Sequence, residues 1–235
     1  MELSQTATYR GSLRPAFSKL LTMVFMEARG EKPLLGGSCA LSGYYLGHRH
    51  PNDIDLFWKS TAGMESLESR IGRTYQIVPD VNEQRGLRRI LVQTETEDVA
   101  IHSAILKQRW ADPRVWQCFS VTCGDVSLQT LDYLGLEKLV ALGNIRDSVE
   151  ERSLSLYDLL MMLRGGLGIE DLLETVQALR PRILLKSIIS NLPGGAIVEG
   201  RRINFEESLA GFRDRLVTEW EARRLTQLIG PVEDW

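Results

Sequence analysis

Apolar residues recur at helical spacing through residues 12–28, SLRPAFSKLLTMVFMEA, and predict an opening helix that Gly30 and Pro33 end. Pro33-Leu34-Leu35 reads as a short apolar strand running into Gly36-Gly37. Ser38 is then placed to cap a helix through about Leu46, because a serine hydroxyl accepts a bond from a free N–H of the first turn. Gly47 to Asn52 is loop: glycine, two histidines, an arginine and a proline. The Ile, Leu and Phe content of Asp53 to Trp58 predicts a strand. A short helix over 62–72 and a strand over Tyr75 to Val78 follow. The β-rich runs LRRILVQT, within Gly86 to Thr94, and VAIHSAIL, Val99 to Leu106, flank the polar ETED and predict a hairpin. Val115 to Thr122 reads as one more strand or an irregular connection.

After about Asp125 the period changes. LDYLGLEKLVAL, SLYDLLMMLRGG, IEDLLETVQALR, RILLKSIISNL and FEESLAGFRDRLVTEWEARRLTQL all carry helical patterning. Gly165-Gly166, Pro181 and Pro193-Gly194-Gly195 punctuate them. The expected organisation is a mixed α/β domain over residues 1–125 and an all-helical domain over 126–235.

Composition adds mainly exclusions. The 235 residues are 43% hydrophobic and 25% charged, as in ordinary globular proteins. No apolar run approaches the ~20 residues of a membrane span. The N-terminus lacks an apolar signal core, so a cytoplasmic, non-exported protein is expected. Cys39, Cys118 and Cys123 are too few and too scattered for a disulfide framework or a cysteine zinc site. A net charge of −3 gives no global attraction to nucleic acid.

Two residues stand out against this background. Asp53 and Asp55 are two apart on the predicted strand, so both carboxylates share one face while Ile54 and Leu56 point the other way. Neighbouring carboxylates repel unless a cation lies between them. Mg²⁺ takes oxygen ligands, commonly one or two carboxylates plus substrate phosphates, and such ions stabilise phosphoryl displacement. Upstream, Gly36-Gly37 lets the backbone approach a phosphate, and the following helix offers free N–H groups. Ser38 adds a hydroxyl.

In this order, Leu35-Gly36-Gly37-Ser38 followed by Asp53-Ile54-Asp55-Leu56 resembles the signature of the DNA polymerase β-like nucleotidyltransferase superfamily. The fuller stretch GGSCALSGYYLGHRHPNDIDLF resembles its AbiEii-type branch, which includes abortive-infection and toxin–antitoxin nucleotidyltransferases. Glu137-Lys138-Leu139 resembles the family's lysine-bearing helix, and Leu156-Tyr157-Asp158-Leu159 its later tyrosine–aspartate helix. The motifs span residues 15–165. The resemblance implies an α/β (α+β) nucleotidyltransferase-like fold: a mixed sheet flanked by helices, then a helical domain. It implies transfer of NMP from an NTP to a hydroxyl acceptor, tRNA or protein, with Mg²⁺ as cofactor and an antitoxin as a further partner. Asp53 and Asp55 would hold the metal. Gly36, Gly37, Ser38, Arg49, Lys138 and Asp158 would serve the nucleotide, with Lys138 reaching the triphosphate.

Three departures bear on activity. The superfamily's third carboxylate, from a later strand, falls at His102, with Asp98, Glu95 and Glu97 as the nearby acids. A histidine can act as a general base but brings no negative charge to a second Mg²⁺. Leu154-Ser155 stands where Lys-Asp is usual, and His50-Pro51-Asn52 where Arg-Ser-x is usual. A catalytically degraded member that binds nucleotide or a protein partner is therefore an alternative, as is a small-molecule (antibiotic) nucleotidyltransferase. His48, His50 and His102 with the aspartates could also form a zinc set. Arg85, Arg88, Arg89, Arg180, Arg182, Lys186, Arg201, Arg202, Arg223 and Arg224 are candidates for RNA phosphates, and Tyr44 and Tyr45 for base stacking.

Overall fold

The computed structural model describes residues 7–26, 30–79, 87–106, 119–144, 147–173, 185–205, 209–218 and 221. Arg85, Arg180, Arg182, Arg223, Arg224 and Cys118 lie outside them, as do residues 115–118, all of 174–184 and most of 219–235. The chain divides into two compact units, Met1–Leu134 and Gly135–Trp235.

The first unit is built on seven strands: β1 (Leu34–Gly36), β2 (Asp53–Trp58), β3 (Gln76–Pro79), β4 (Leu87–Gln93), β5 (Asp98–Ile105), β6 (Ser120–Cys123) and β7 (Val126–Gln129). Their order in the sheet is β3-β4-β5-β2-β1-β7-β6. The sheet is mixed: β2 runs parallel to β5 and β1 parallel to β7, while the other neighbours are antiparallel. Alternation decides its two faces. In β2 the buried residues are Ile54, Leu56 and Trp58, and in β5 Val99, Ile101 and Ser103. Asp53, Asp55 and Phe57 face the opposite side and are half-exposed.

Helices flank the sheet. α1 (Pro15–Phe25) starts on a proline, tolerated there because no N–H is needed, and buries Phe17, Leu20, Leu21, Val24 and Phe25. α3 (Thr61–Ile71) covers the apolar face with Met64, Leu67 and Ile71. Its start is tied down twice. Ser60 accepts a bond from Gly63 N, and Glu31 accepts bonds from Lys59 N at 2.6 Å and Ser60 N at 3.2 Å. Between β1 and β2 lies α2 (Gly37–Ala40), which widens into a π-helix over Leu41–Leu46. Carbonyls in that widened turn are taken by the N-terminal segment: Tyr44 O by Thr8 N, Gly43 O by Arg10 N and Ser42 O by Ser12 Oγ. π-helical turns of this kind are frequent at functional sites.

In the second unit, α4 (Leu131–Gly143, entered from the first unit) and α5 (Val149–Arg164) lead to α6 (Leu185–Ser190). Residues 169–173 and 209–218 are also helical. Ser148 and Glu151 close a reciprocal capping box on α5, satisfying two donors of its first turn. One sequence expectation is corrected here. The unit is not all-helical: β8 (Gly195–Val198) and β9 (Arg201–Asn204) pair as an antiparallel hairpin. Its turn residues Glu199 and Gly200 both have positive φ, 49° and 77°. Two positive φ values are what a two-residue hairpin loop of the type I′ class requires, usually written Asn-Gly or Asp-Gly rather than Glu-Gly. No helix among the described residues is long and apolar enough to cross a membrane.

Candidate active site

The polar face of the central strands gathers the chemistry. Parallel pairing sets Asp55 of β2 directly beside His102 of β5, and Asp53 beside Ala100. His102 Nδ1 lies 3.4 Å from Asp55 Oδ1 and 3.5 Å from Asp53 Oδ2. The three side chains are partly exposed, and their ligand atoms all lie within 4.8 Å of one another. On the far side of β5, Arg89 of β4 is the register partner of His102, so its charge stands on the same face.

Register also disposes of the nearby acids. Asp98 shares the face of His102 but is four residues away, about 13 Å along an extended strand. Glu97 pairs with Arg14 at 2.7 Å, beside the turn that joins β4 and β5. The residue beside the two aspartates is therefore histidine.

β1 ends against this cluster. Gly36 is the register partner of Asp55, and Gly37 starts α2 with φ +57°. A Cβ on Gly37 would overlap Asp55 Oδ2, so the turn can pass this close to the carboxylate only without a side chain. The cap of α2 is a correction. Its N-cap is Gly36 with no side-chain bond, and Ser38 lies inside the helix. Ser38 is nearly buried and donates from Oγ to Asp53 Oδ1 at 3.3 Å, so it orients the carboxylate instead of closing the helix.

Electrostatics tie His102 to the aspartates. Its pKa is raised from 6.5, above all by the hydrogen bond to Asp55, against a lowering by burial. The charges of Asp55 and Asp53 add to the rise and that of Arg89 opposes it. In the metal-free protein the imidazole is expected to titrate above an ordinary histidine, and Asp55→Asn to bring it back down. NMR titration of the ring, assigned with His102→Gln, checks this. Because the folded pKa is the higher one, the ring's contribution to stability is complete below the unfolded value and fades as pH rises through the folded value.

Other sequence candidates find different places. Arg49 is 6% exposed and donates to the carbonyl of His50 at 3.1 Å. Tyr44 and Tyr45 are core residues, and Tyr45 donates its hydroxyl to Gln129 O at 2.7 Å. His48 Nδ1 is 3.4 Å from Ser42 Oγ and His50 Nδ1 is 2.6 Å from Ser12 O. Neither belongs to the group formed by Asp53, Asp55 and His102. Cys39 is fully buried, and burial pushes its thiol pKa well up, with the charges of Asp55 and Asp53 adding to it; a thiolate nucleophile is disfavoured. Lys138 and Asp158 lie in the second unit and pair with each other at 2.8 Å.

Gln129 is the residue that sequence reading missed, because β7 was not foreseen. It is 1% exposed, its amide packs where a Cβ of Gly36 would sit, and neither amide atom has a hydrogen-bond partner. The alternation Val126-Ser127-Leu128-Gln129 was the available signal. A buried amide without partners is destabilising by about 1–3 kcal/mol. Gln129→Met should therefore raise the melting temperature of the ligand-free protein, and an unchanged or lower value would contradict the observed lack of partners.

The chain matches no protein-family model and no curated protein. Its fold is shared with a solved structure. The crystal structure of JHP933 from Helicobacter pylori aligns over 94% of this chain and 97% of that one, with TM-score 0.52 and 14% identity. A second H. pylori protein, provisionally described as a nucleotidyltransferase, aligns over 88% of this chain and 96% of its own with TM-score 0.40 and 16% identity. The mixed seven-stranded sheet with flanking helices is the α/β architecture that the sequence predicts for the first unit.

Proposed function

We propose that the protein is a metal-dependent nucleotidyltransferase that moves NMP from an NTP to a hydroxyl acceptor. One observation carries this: Asp53, Asp55 and His102 converge beside a glycine turn that a single methyl group would block. The donor set suits a divalent cation, since two carboxylates and one ring nitrogen lie close enough to share one ion. Asp53 and Asp55 would hold it, and when bound such an ion neutralises phosphate charge and polarises the phosphoryl group under attack.

The chain's own residues do the rest. The N–H groups opening α2 would face the triphosphate, while the missing Cβ atoms of Gly36 and Gly37 make room for Gln129 and Asp55. Ser38 fixes Asp53. Lys138 and Asp158, in contrast, tie α4 to α5 within the second unit, and we read them as structural rather than as phosphate ligands. The AbiEii kinship, the tRNA or protein acceptor and the antitoxin partner rest on the motif resemblance alone.

Labelled NTPs test the reaction type. Label at the α-phosphate should appear on a macromolecular or small-molecule acceptor, with pyrophosphate released, and Asp55→Asn should abolish it. Transfer of γ-label instead would mark a phosphotransferase and contradict the proposal.

A further inference from the structure

We propose that Asp53, Asp55 and Nδ1 of His102 form one nitrogen-containing cation site that selects a divalent transition ion such as Mn²⁺ over Mg²⁺. The inference deepens the proposed function and rests on its reading of the aspartate pair as metal ligands.

Four observations support it. First, the spacing suits a single shared ion. Ligand atoms about 2.1 Å from one ion stand about 3.0 Å apart at right angles and about 3.4 Å apart at the tetrahedral angle. His102 Nδ1 is 3.4 and 3.5 Å from the two carboxylate oxygens. Second, no other acid can complete an all-oxygen site from this strand, because Asp98 is four residues along β5 and Glu97 is paired with Arg14. Third, the ring has no competing attachment. Nε2 is buried without a hydrogen-bond partner, so the polar contacts of the imidazole are directed at the carboxylates through Nδ1. Fourth, Arg89 stands beside His102 on the same face. Its positive charge opposes any divalent ion alike, so a bound ion relies more on the ring-nitrogen bond that transition ions form more strongly.

The chemistry then discriminates. Mg²⁺ demands near-octahedral oxygen ligation and gains little from imidazole. Later first-row ions bind nitrogen more strongly, in the order that begins with Mn²⁺ and rises towards Cu²⁺. A neutral ring as the third member brings no negative charge to the site and supplies a bond that transition ions favour. A nitrogen that ligates cannot at the same moment accept the proton of an acceptor hydroxyl. His102 is thus assigned as a ligand rather than as the general base.

The test uses the whole chain without nucleotide. Mn²⁺ is titrated by electron paramagnetic resonance, with Mg²⁺ as competitor, and pulsed measurements look for nitrogen coupling at the bound ion. The native protein should show one histidine nitrogen, and [¹⁵N]histidine labelling should change the coupling without any mutation. His102→Asp should remove the coupling and lower the Mg²⁺-to-Mn²⁺ dissociation-constant ratio by at least about tenfold. Mn²⁺ bound without nitrogen coupling, or a ratio that His102→Asp leaves unchanged, overturns the inference. Nucleotide titration separates the two failures. If an NTP binds with Mg²⁺ through the aspartates and no nitrogen coupling appears, the selectivity falls and the proposed function stands. If coupling appears and no NTP binds, the reverse holds.

Discussion

Lys138→Met is expected to destabilise the second unit by about 3–5 kcal/mol, the usual consequence of leaving one charge of a buried pair without its partner. Asp158 is fully buried and Lys138 Nζ lies 2.8 Å from it, with the lysine side chain only 13% exposed. The methionine would fill the stem's space and take the cation away from a fully buried carboxylate, whose charged form then loses that compensation. Replacing both residues, Lys138→Met with Asp158→Leu, should recover most of the loss, because apolar pairs of similar size often equal or exceed buried ion pairs. Denaturant unfolding of the single and double variants checks it. A single variant as stable as the native chain would mean that Lys138 is not holding α4 to α5.

Gly37→Ala is expected to disable the site with a smaller effect on the fold. Two effects combine. A left-handed φ of +57° costs an L-residue roughly 1–2 kcal/mol. The new Cβ would also occupy the place of Asp55 Oδ2, so the carboxylate must turn away from His102 and Asp53. Cation affinity, and nucleotide affinity with it, should fall by at least about tenfold, a difference of about 1.4 kcal/mol. Calorimetric titration of Mn²⁺ against both proteins measures the loss. Gly124, also at positive φ but with open space where a Cβ would go, is the control: Gly124→Ala meets the backbone strain without the site effect.

Much of this was legible in the chain because local patterns and tertiary needs agree. Asp53-Ile54-Asp55-Leu56 alternates with period two, and the observed burial of Ile54 and Leu56 follows that alternation. Leu87–Gln93 and Asp98–Ile105 form the hairpin that their β-rich runs and polar turn foretell. The misses have physical reasons. β7 has only four residues, and its place in the sheet comes from a parallel partner, β1, about ninety residues earlier, which no local pattern reveals. The β8–β9 turn uses Glu-Gly, which lacks the usual asparagine or aspartate. Ser38 looked like a cap because serine at a helix start usually is one. The left-handed Gly37 shifts the helix start, and the hydroxyl turns to Asp53. That His102 lies beside Asp55 depends on the register of β2 against β5, a long-range fact that the sequence could only suggest by analogy.

The central claim is that Asp53 and Asp55 bind a nucleotide through a divalent cation. Calorimetric titration of each NTP in the presence and absence of Mn²⁺ or Mg²⁺ tests it most directly, comparing the native chain with the Asp53→Asn/Asp55→Asn double variant. Binding of an NTP that requires the cation and disappears in the folded double variant is the predicted result. Binding that survives loss of both carboxylates, or a native chain that binds no NTP with either ion, would contradict it.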